Sequence, residues 1–500
     1  MVDAWLIVVI IIVALVMVAL NIYLFIIYCH PDDLKFGAGW FAKVVFMLGS
    51  AVTWGFILLL PLDIANSRGS GGGLNIGVAY AIFFILYLVF LIVFMPMALF
   101  IYESDDEKPF FKRFCCSFVL EICIIIIVVI LAIIAYSVLK TAIVCDLLTA
   151  TPVTLTLSET PTYLIANANL PNQVTYSIPA WIFPIIFLEF LGWFLFVVFG
   201  GIGLTALPMD LIIDFIYRPR PRKAEEIAER KIALRRRTEE LMEFTKQIED
   251  KTERYDEEKE DKNFFSKWSG KRKIKSKEKE LTAELYKLEE EFEIFEAECN
   301  LTANPLWDWF KLFLGIILGI LSFVILLHII LNVLAFSNGK PVSPFLNTVF
   351  VWLEFSIARF VSTIFFTFLT VYILLCVVKG NIKFGLRLFF LIKIHPMKVG
   401  RTYMNSFLFN GILILFCVPA TIHFQVILFQ SYMVMTASSY LFTVMIQKMK
   451  FFTWFFNSKF FIYFFVAWVG ITFIYLLIRP KSDRMNIKKM IERRKKIEIG

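Results

Sequence analysis

GIGLTALPMDLIIDFIYRPRPRK, residues 201–223, joins the end of a long apolar run to two carboxylates and then to a proline-punctuated basic segment. The chain before it reads as membrane, and the chain just after it reads as water-soluble helix. Hydrophobic residues make up 59% of the 500-residue chain and mean hydropathy is +0.74. Apolar runs of about 20 residues or more recur, a length that spans a bilayer as helix. The fold class is therefore all-α, a polytopic membrane protein. A membrane barrel would show shorter segments of alternating polarity.

Towards the N-terminus, spans are expected at about 4–28, 40–61, 74–101, 117–139 and 180–207. The first has Asp3 where a signal peptide carries basic residues and no small-residue cleavage site, so it is expected to be retained. From Thr141 to Tyr217 there is no Lys or Arg, and Thr is frequent in 140–179, which places that loop outside the cytosol. Towards the C-terminus, four more spans are expected at about 307–336, 346–378, 403–434 and 451–478, giving nine. The connection bearing Lys379, Lys383, Arg387, Lys393, Lys398 and Arg401 is basic, as is the tail from Arg479. Both are expected in the cytosol, with the N-terminus outside.

Between spans five and six, residues 223–300 cannot cross a membrane. Ile227, Leu234, Leu241 and Ile248 recur every seven residues, and Leu281, Leu285, Leu288, Phe292 and Phe295 alternate steps of four and three. Two seams of this kind imply a cytosolic antiparallel coiled-coil hairpin, with the second offered to a protein partner. The intervening loop, about 257–276, mixes Phe264, Phe265 and Trp268 with Lys262, Lys267, Lys271, Arg272, Lys273 and Lys275, and it and the basic tail are candidates for anionic lipid. A solvated charge run is the plainer reading of the loop. Asn300-Leu301-Thr302 is the only glycosylation sequon, and it should stay bare on the cytosolic side.

No nucleophile elbow, HExxH or phosphate-binding loop occurs, so neither enzymatic function nor cofactor is expected. The four histidines are scattered, the eight cysteines suggest no disulfide framework, and no metal or nucleic-acid partner is expected. The informative residues are ionisable groups inside apolar spans: Glu189 in span five, His328 in span six, Glu354 and Arg359 in span seven, and His423 in span eight. Each costs about 2.5–3.5 kcal/mol at the bilayer centre if left alone, so each should face the bundle interior or a wet cavity. Glu354 and Arg359 lie about 140° apart on one helix, so one of them is expected to pair with Glu189 instead. Two readings stay open: a ligand or proton path, or interhelical clamps. Asp63, Asp210 and Asp214 sit at span ends, where water or helix termini can solvate them. Gly203 allows close packing, Pro208 can break the span, and Asp210 and Asp214 can meet Arg218, Arg220 and Arg222, which together describe a coupling joint.

With these pieces in order, GIGLTALPMDLIIDFIYRPRP resembles the signature of the LIMR family, the limb-region-like or lipocalin-interacting membrane receptors. LPLDIANS at 60–67, YESDDE at 102–107 and NPLWDWFKLFLGIILGI at 304–320 resemble further family segments. The resemblance covers essentially the whole chain and is nearest the lysosomal cobalamin-export branch. It implies a receptor or transport accessory for a small lipophilic or vitamin-like ligand in a lysosomal, endosomal or plasma membrane, and it supplies no catalytic residues. The competing expectations are a scaffold acting through the hairpin, and a channel or lipid scramblase.

Overall fold

The computed structural model describes residues 4–35, 39–68, 75–104, 109–145, 173–180, 182–217, 224–257, 277, 281–282, 284–289, 291–292, 295, 305–337, 340–355, 359–388, 392–434, 436–447 and 449–478. Among them, nine helices are long and apolar enough to cross a membrane. In chain order they are Ala4–Tyr28, Trp40–Arg68, Ile76–Glu103, Phe110–Leu139, Phe183–Ile216, Leu306–Leu334, Arg359–Phe384, Met404–Leu428 and Phe460–Ile478. Short antiparallel hairpins decorate the connections; the longest pairs β1 (Thr141–Cys145) with β2 (Gln173–Ser177) at the base of the Thr-rich loop.

Two compact units emerge, one comprising residues 1–207 and 319–475 and the other 208–318 and 476–500. In the first, span eight is the hub. It packs against spans two, three and seven, and 78% of its apolar window is buried, against 6% for span four, which faces outward. Small residues let the backbones meet, as membrane helices require where lipid gives no hydrophobic drive. A Cβ on Gly203 would lie 1.6 Å from the Cys376 carbonyl oxygen, and one on Gly380 1.8 Å from that of Phe199, so spans five and seven touch backbone to backbone.

The connections fall into two sets that do not mix in these contacts. At one end, the His30 amide donates to the Thr402 carbonyl, and Asp33 accepts from the Tyr102 hydroxyl and the Met404 amide. At the other, the Asp63 carboxylate accepts from the amides of Ala437 and Ser438, the Tyr136 hydroxyl donates to the Ile178 carbonyl, and the Lys450 amide donates to Thr141. Alternate crossing by nine spans puts each of these residues where its contacts place it. Asp63 is buried yet solvated by the first N–H groups of a short helix, the arrangement its position at a span end implied.

Three local expectations are corrected. The expected seventh span contains two helices, Phe345–Phe355 and Arg359–Phe384, so Glu354 lies on a short helix ahead of the spanning one. Pro208 does not break span five, which runs unbroken to Ile216, just as Pro61 sits within span two. Long membrane helices tolerate proline because their neighbours re-satisfy the freed backbone groups. Glu189, finally, pairs with His423, while Glu354 accepts from Tyr432; the Arg359 side chain lies outside the described residues.

In the second unit, Leu234, Leu288 and Phe295 form a buried cluster with Ile227 and Leu241 packed on it, and Arg237 bridges Glu284 and Glu291. The segment's heptad therefore divides. Leu288 and Phe295 turn in, Leu281 is half-buried, and Leu285 and Phe292 are more than half exposed. Span five beyond Pro208 meets the start of span six here, where Phe215 tilts against Trp309 at 5.0 Å and Gly315 admits Leu211 and Ile212. Asp210 and Asp214 are half-buried on this stretch; Arg218, Arg220 and Arg222, their expected partners, lie outside the described residues.

Candidate functional site

Glu189 and Trp193 stand four residues apart on span five, hence on one face of the helix. Span eight approaches that face closely because Gly192 leaves room for the Phe416 carbonyl, 2.1 Å from where a Cβ would be. The approach delivers His423, whose Nδ1 lies 2.6 Å from Glu189 Oε1, and the Trp193 indole N–H donates to the same oxygen at 2.5 Å. Glu189, Trp193 and His423 are all 0% exposed.

The hydrogen bonds set the tautomer. An ionised carboxylate only accepts, so His423 Nδ1 carries a proton and donates it to Glu189. Trp193 Nε1 also comes within 3.2 Å of Nδ1, but between two N–H groups this is a contact and not a bond. His423 Nε2 is then the acceptor, and the Gln447 amide nitrogen, 3.0 Å away, donates to it. A second proton on His423 would oblige Gln447 to turn its amide and present oxygen, so the protonation state of the buried imidazole is tied to the orientation of Gln447. Phe442 stacks on the imidazole at 5.3 Å and Phe456 tilts over it at 4.8 Å, closing the group against water. Glu189 Oε2 has no hydrogen-bond partner among the described residues.

Trp193 and Gln447 each show a second side to a cavity of about 370 Å³. Its polar wall is Asn332, Gln430, Ser431, Gln447 and Lys459, and its apolar wall includes Trp193, Phe336, Phe455 and Phe456. It lies at the Thr-rich-loop end of the bundle, among spans five, six, eight and nine, within the size range of small-molecule sites, roughly 300–1,000 Å³. A smaller cavity of about 70 Å³ sits among spans one, two, three, seven and eight, beside Asn21, Ser50 and Asn410.

His328 and Glu354 belong to a different group. The Leu428 carbonyl, at the end of span eight, accepts from His328 Nε2 at 3.1 Å, Asn332 at 2.9 Å and Asn347 at 3.1 Å. Asn347 in turn accepts from the Tyr432 amide, and the Tyr432 hydroxyl donates to Glu354 Oε2 at 3.3 Å. Three donors on one carbonyl satisfy a helix C-terminus that has no further intrahelical bonds to make. Of the five intramembrane residues singled out by sequence, Glu189 and His423 thus meet each other, while His328 and Glu354 clamp the end of span eight. Arg359 begins span seven, and its side chain lies outside the described residues.

Sequence reasoning missed Trp193, Gln447 and Lys459. Trp193 has the i+4 spacing from Glu189 that could have found it. Glu121, also missed, is buried on span four with neither oxygen hydrogen-bonded among the described residues. Its i+4 spacing from the buried Ser117 marks that helix's one inward stripe. No group of three metal-ligating side chains occurs among the described residues.

The LMBR1-like membrane protein family model matches residues 6–269 and 265–478. The chain is similar to a LIMR family protein of Dictyostelium discoideum, 31% identical over 98% of this chain and 100% of that protein. It is similar to one from Arabidopsis thaliana, 30% identical over 94% of this chain and 95% of that one, and to one from Oryza sativa, 29% identical over 93% and 94%. No solved structure matches.

Proposed function

The chain belongs to the LIMR family of LMBR1-like membrane proteins, and from that premise we propose that it is a receptor or transport accessory, not an enzyme, for a small lipophilic or vitamin-like ligand. The observation that carries this reading is the cavity of about 370 Å³, part aromatic and part amide-lined, whose Trp193 and Gln447 also hold the buried Glu189–His423 pair. A ligand pressing on Gln447, the partly exposed one of the two, acts directly on its hydrogen bond to His423. Cobalamin export from a lysosome is the instance nearest the sequence resemblance. In this reading the N-terminus and the cavity face the lumen or exterior and the basic connections and tail face the cytosol, where the tail meets anionic lipid. A protein partner completes the system at the proposed coiled-coil hairpin, and the outward Leu285–Phe292 stripe favours that site.

The test is ligand copurification. Protein purified from native membranes is extracted and its small molecules identified by mass spectrometry, beside the variant Ser431→Trp, which fills the cavity from an exposed wall position. One compound enriched in the parent and lost from the variant, with thermal stability unchanged, supports the reading. Equal recovery from both, or nothing enriched in the parent, overturns it.

A further inference from the structure

Among the described residues Lys459 is the one charged residue in the wall of the large cavity, and no acidic residue pairs with it. Its ammonium donates to the Val333 carbonyl and lies 3.7 Å from the centre of the Phe336 ring, so it is held in place with neutral partners only. Burial lowers its pKa from the ordinary lysine value, as expected of a cation losing water without gaining a counter-charge. The backbone at Lys459 is left-handed, with φ of +55°, a conformation that favours glycine or asparagine. A lysine kept at a strained joint, aimed at an aromatic ring and a carbonyl beside an open cavity, is an outlier of the kind that clusters at ligand clamps.

The surroundings match the same sign. Lys459 directly precedes span nine, and Phe461 and Ile462 of that helix's first turn line the cavity, so the positive end of a 19-residue helix lies beside it. Gln430 and Ser431 are exposed on the opposite wall and offer an amide and a hydroxyl, while Asn332 and Gln447 add further amides. Among the described residues no carboxylate lines the cavity. Phe455 and Phe456 supply an apolar floor for a chain or ring system, backed by the buried Trp193.

We propose that the cavity binds a monoanionic amphiphile, with its carboxylate or phosphate headgroup on Lys459 and its apolar body against Phe455 and Phe456. This rests on the receptor reading and adds the charge of the ligand to it. The headgroup comes either from the bilayer or from the aqueous phase, and the chemistry recognised is the same. Size selects one headgroup with one chain or ring system, since the cavity lies at the low end of small-molecule pockets.

The experiment uses the full chain in phosphatidylcholine nanodiscs with two fluorescent probes, dansyl-undecanoate and the matching primary alcohol. Lys459→Asn removes the charge while suiting the left-handed backbone, so misfolding does not cloud the result; Lys459→Arg keeps the charge. The carboxylate is expected to bind about tenfold or more tighter than the alcohol, in line with a charge-assisted hydrogen bond. Lys459→Asn should erase that preference and Lys459→Arg should keep most of it. Competition by the single-chain lysophosphatidylserine placed in the disc would identify the bilayer as source, and its absence the aqueous phase; both support the proposal. Equal binding of the two probes, or a preference untouched by Lys459→Asn, overturns the anionic class and leaves the cavity reading standing. Binding of neither probe, with Ser431→Trp also without effect on copurifying compounds, overturns both.

Discussion

At the scale of single residues, the Glu189–His423 pair lies at 0% exposure, where a hydrogen-bonded carboxylate is weak evidence of stability but one stripped of its donor is expensive. Glu189 accepts two hydrogen bonds on one oxygen, so a neutral glutamine keeps an acceptor for both donors. Glu189→Gln is therefore expected to be mild. His423→Leu strands a carboxylate behind aromatic rings and should cost about 3–5 kcal/mol. Adding Glu189→Leu to His423→Leu removes the stranded charge and should recover most of that loss. Thermal denaturation in detergent of the two single variants and the double would measure the ordering. A double variant less stable than His423→Leu would show that the pair contributes net stability and is not chiefly a device of position or protonation.

At the scale of elements, close backbone contact between spans five and seven makes its own demand. Gly203→Ala and Gly380→Ala each put a methyl group under 2 Å from a carbonyl oxygen of the facing helix, and separating the helices should cost about 3 kcal/mol or more, at or beyond the usual range for overpacking. Gly470→Ala on span nine, which meets nothing within 4 Å, is the neutral control. A fluorescence thermal shift equal for Gly203→Ala and Gly470→Ala would rule out the close contact. The nine spans were legible because continuous apolar runs report the bilayer directly. Where each helix ends was less legible: Pro61 and Pro208 look like breaks, yet both lie inside helices. That two helices, Phe345–Phe355 and Arg359–Phe384, make up the expected seventh span was hidden because hydropathy sees composition, and the first is as apolar as the second. Glu189 and His423 stood out as ionisable groups in apolar runs, but 234 residues separate them, and nothing local tells which spans are neighbours. Gln447 was missed because it falls in the connection between expected spans eight and nine, and Lys459 because it falls inside the expected span 451–478, whose helix begins only at Phe460.

At the scale of the whole molecule, the two sets of end contacts fix which connections share a side, and charge then bears on which side is cytosolic. The set containing His30, Asp33, Tyr102, Thr402 and Met404 includes the basic connection before span eight, with Lys398 and Arg401. The opposite set holds Asp63, Thr141, Ile178 and Lys450, next to the long loop that lacks Lys and Arg. Because basic residues in short loops stay inside, the first set is expected in the cytosol and the second, with the cavity, in the lumen or exterior. Alternate crossing then assigns residues 217–304 to the cytosol and 140–182 to the other side. Two glycosylation sites test both assignments in one chain. Asn300 should carry no glycan, although Asn300-Leu301-Thr302 is a complete sequon. Asn169→Thr completes a sequon at Asn167 in the Thr-rich loop, and Asn167 should then be glycosylated. A glycosidase-sensitive mobility shift in N169T alone is the expected pattern. A shift already present in the parent chain, abolished by Asn300→Gln, would invert the molecule and turn the Lys459 cavity towards the cytosol, where its ligand would be drawn from a different pool.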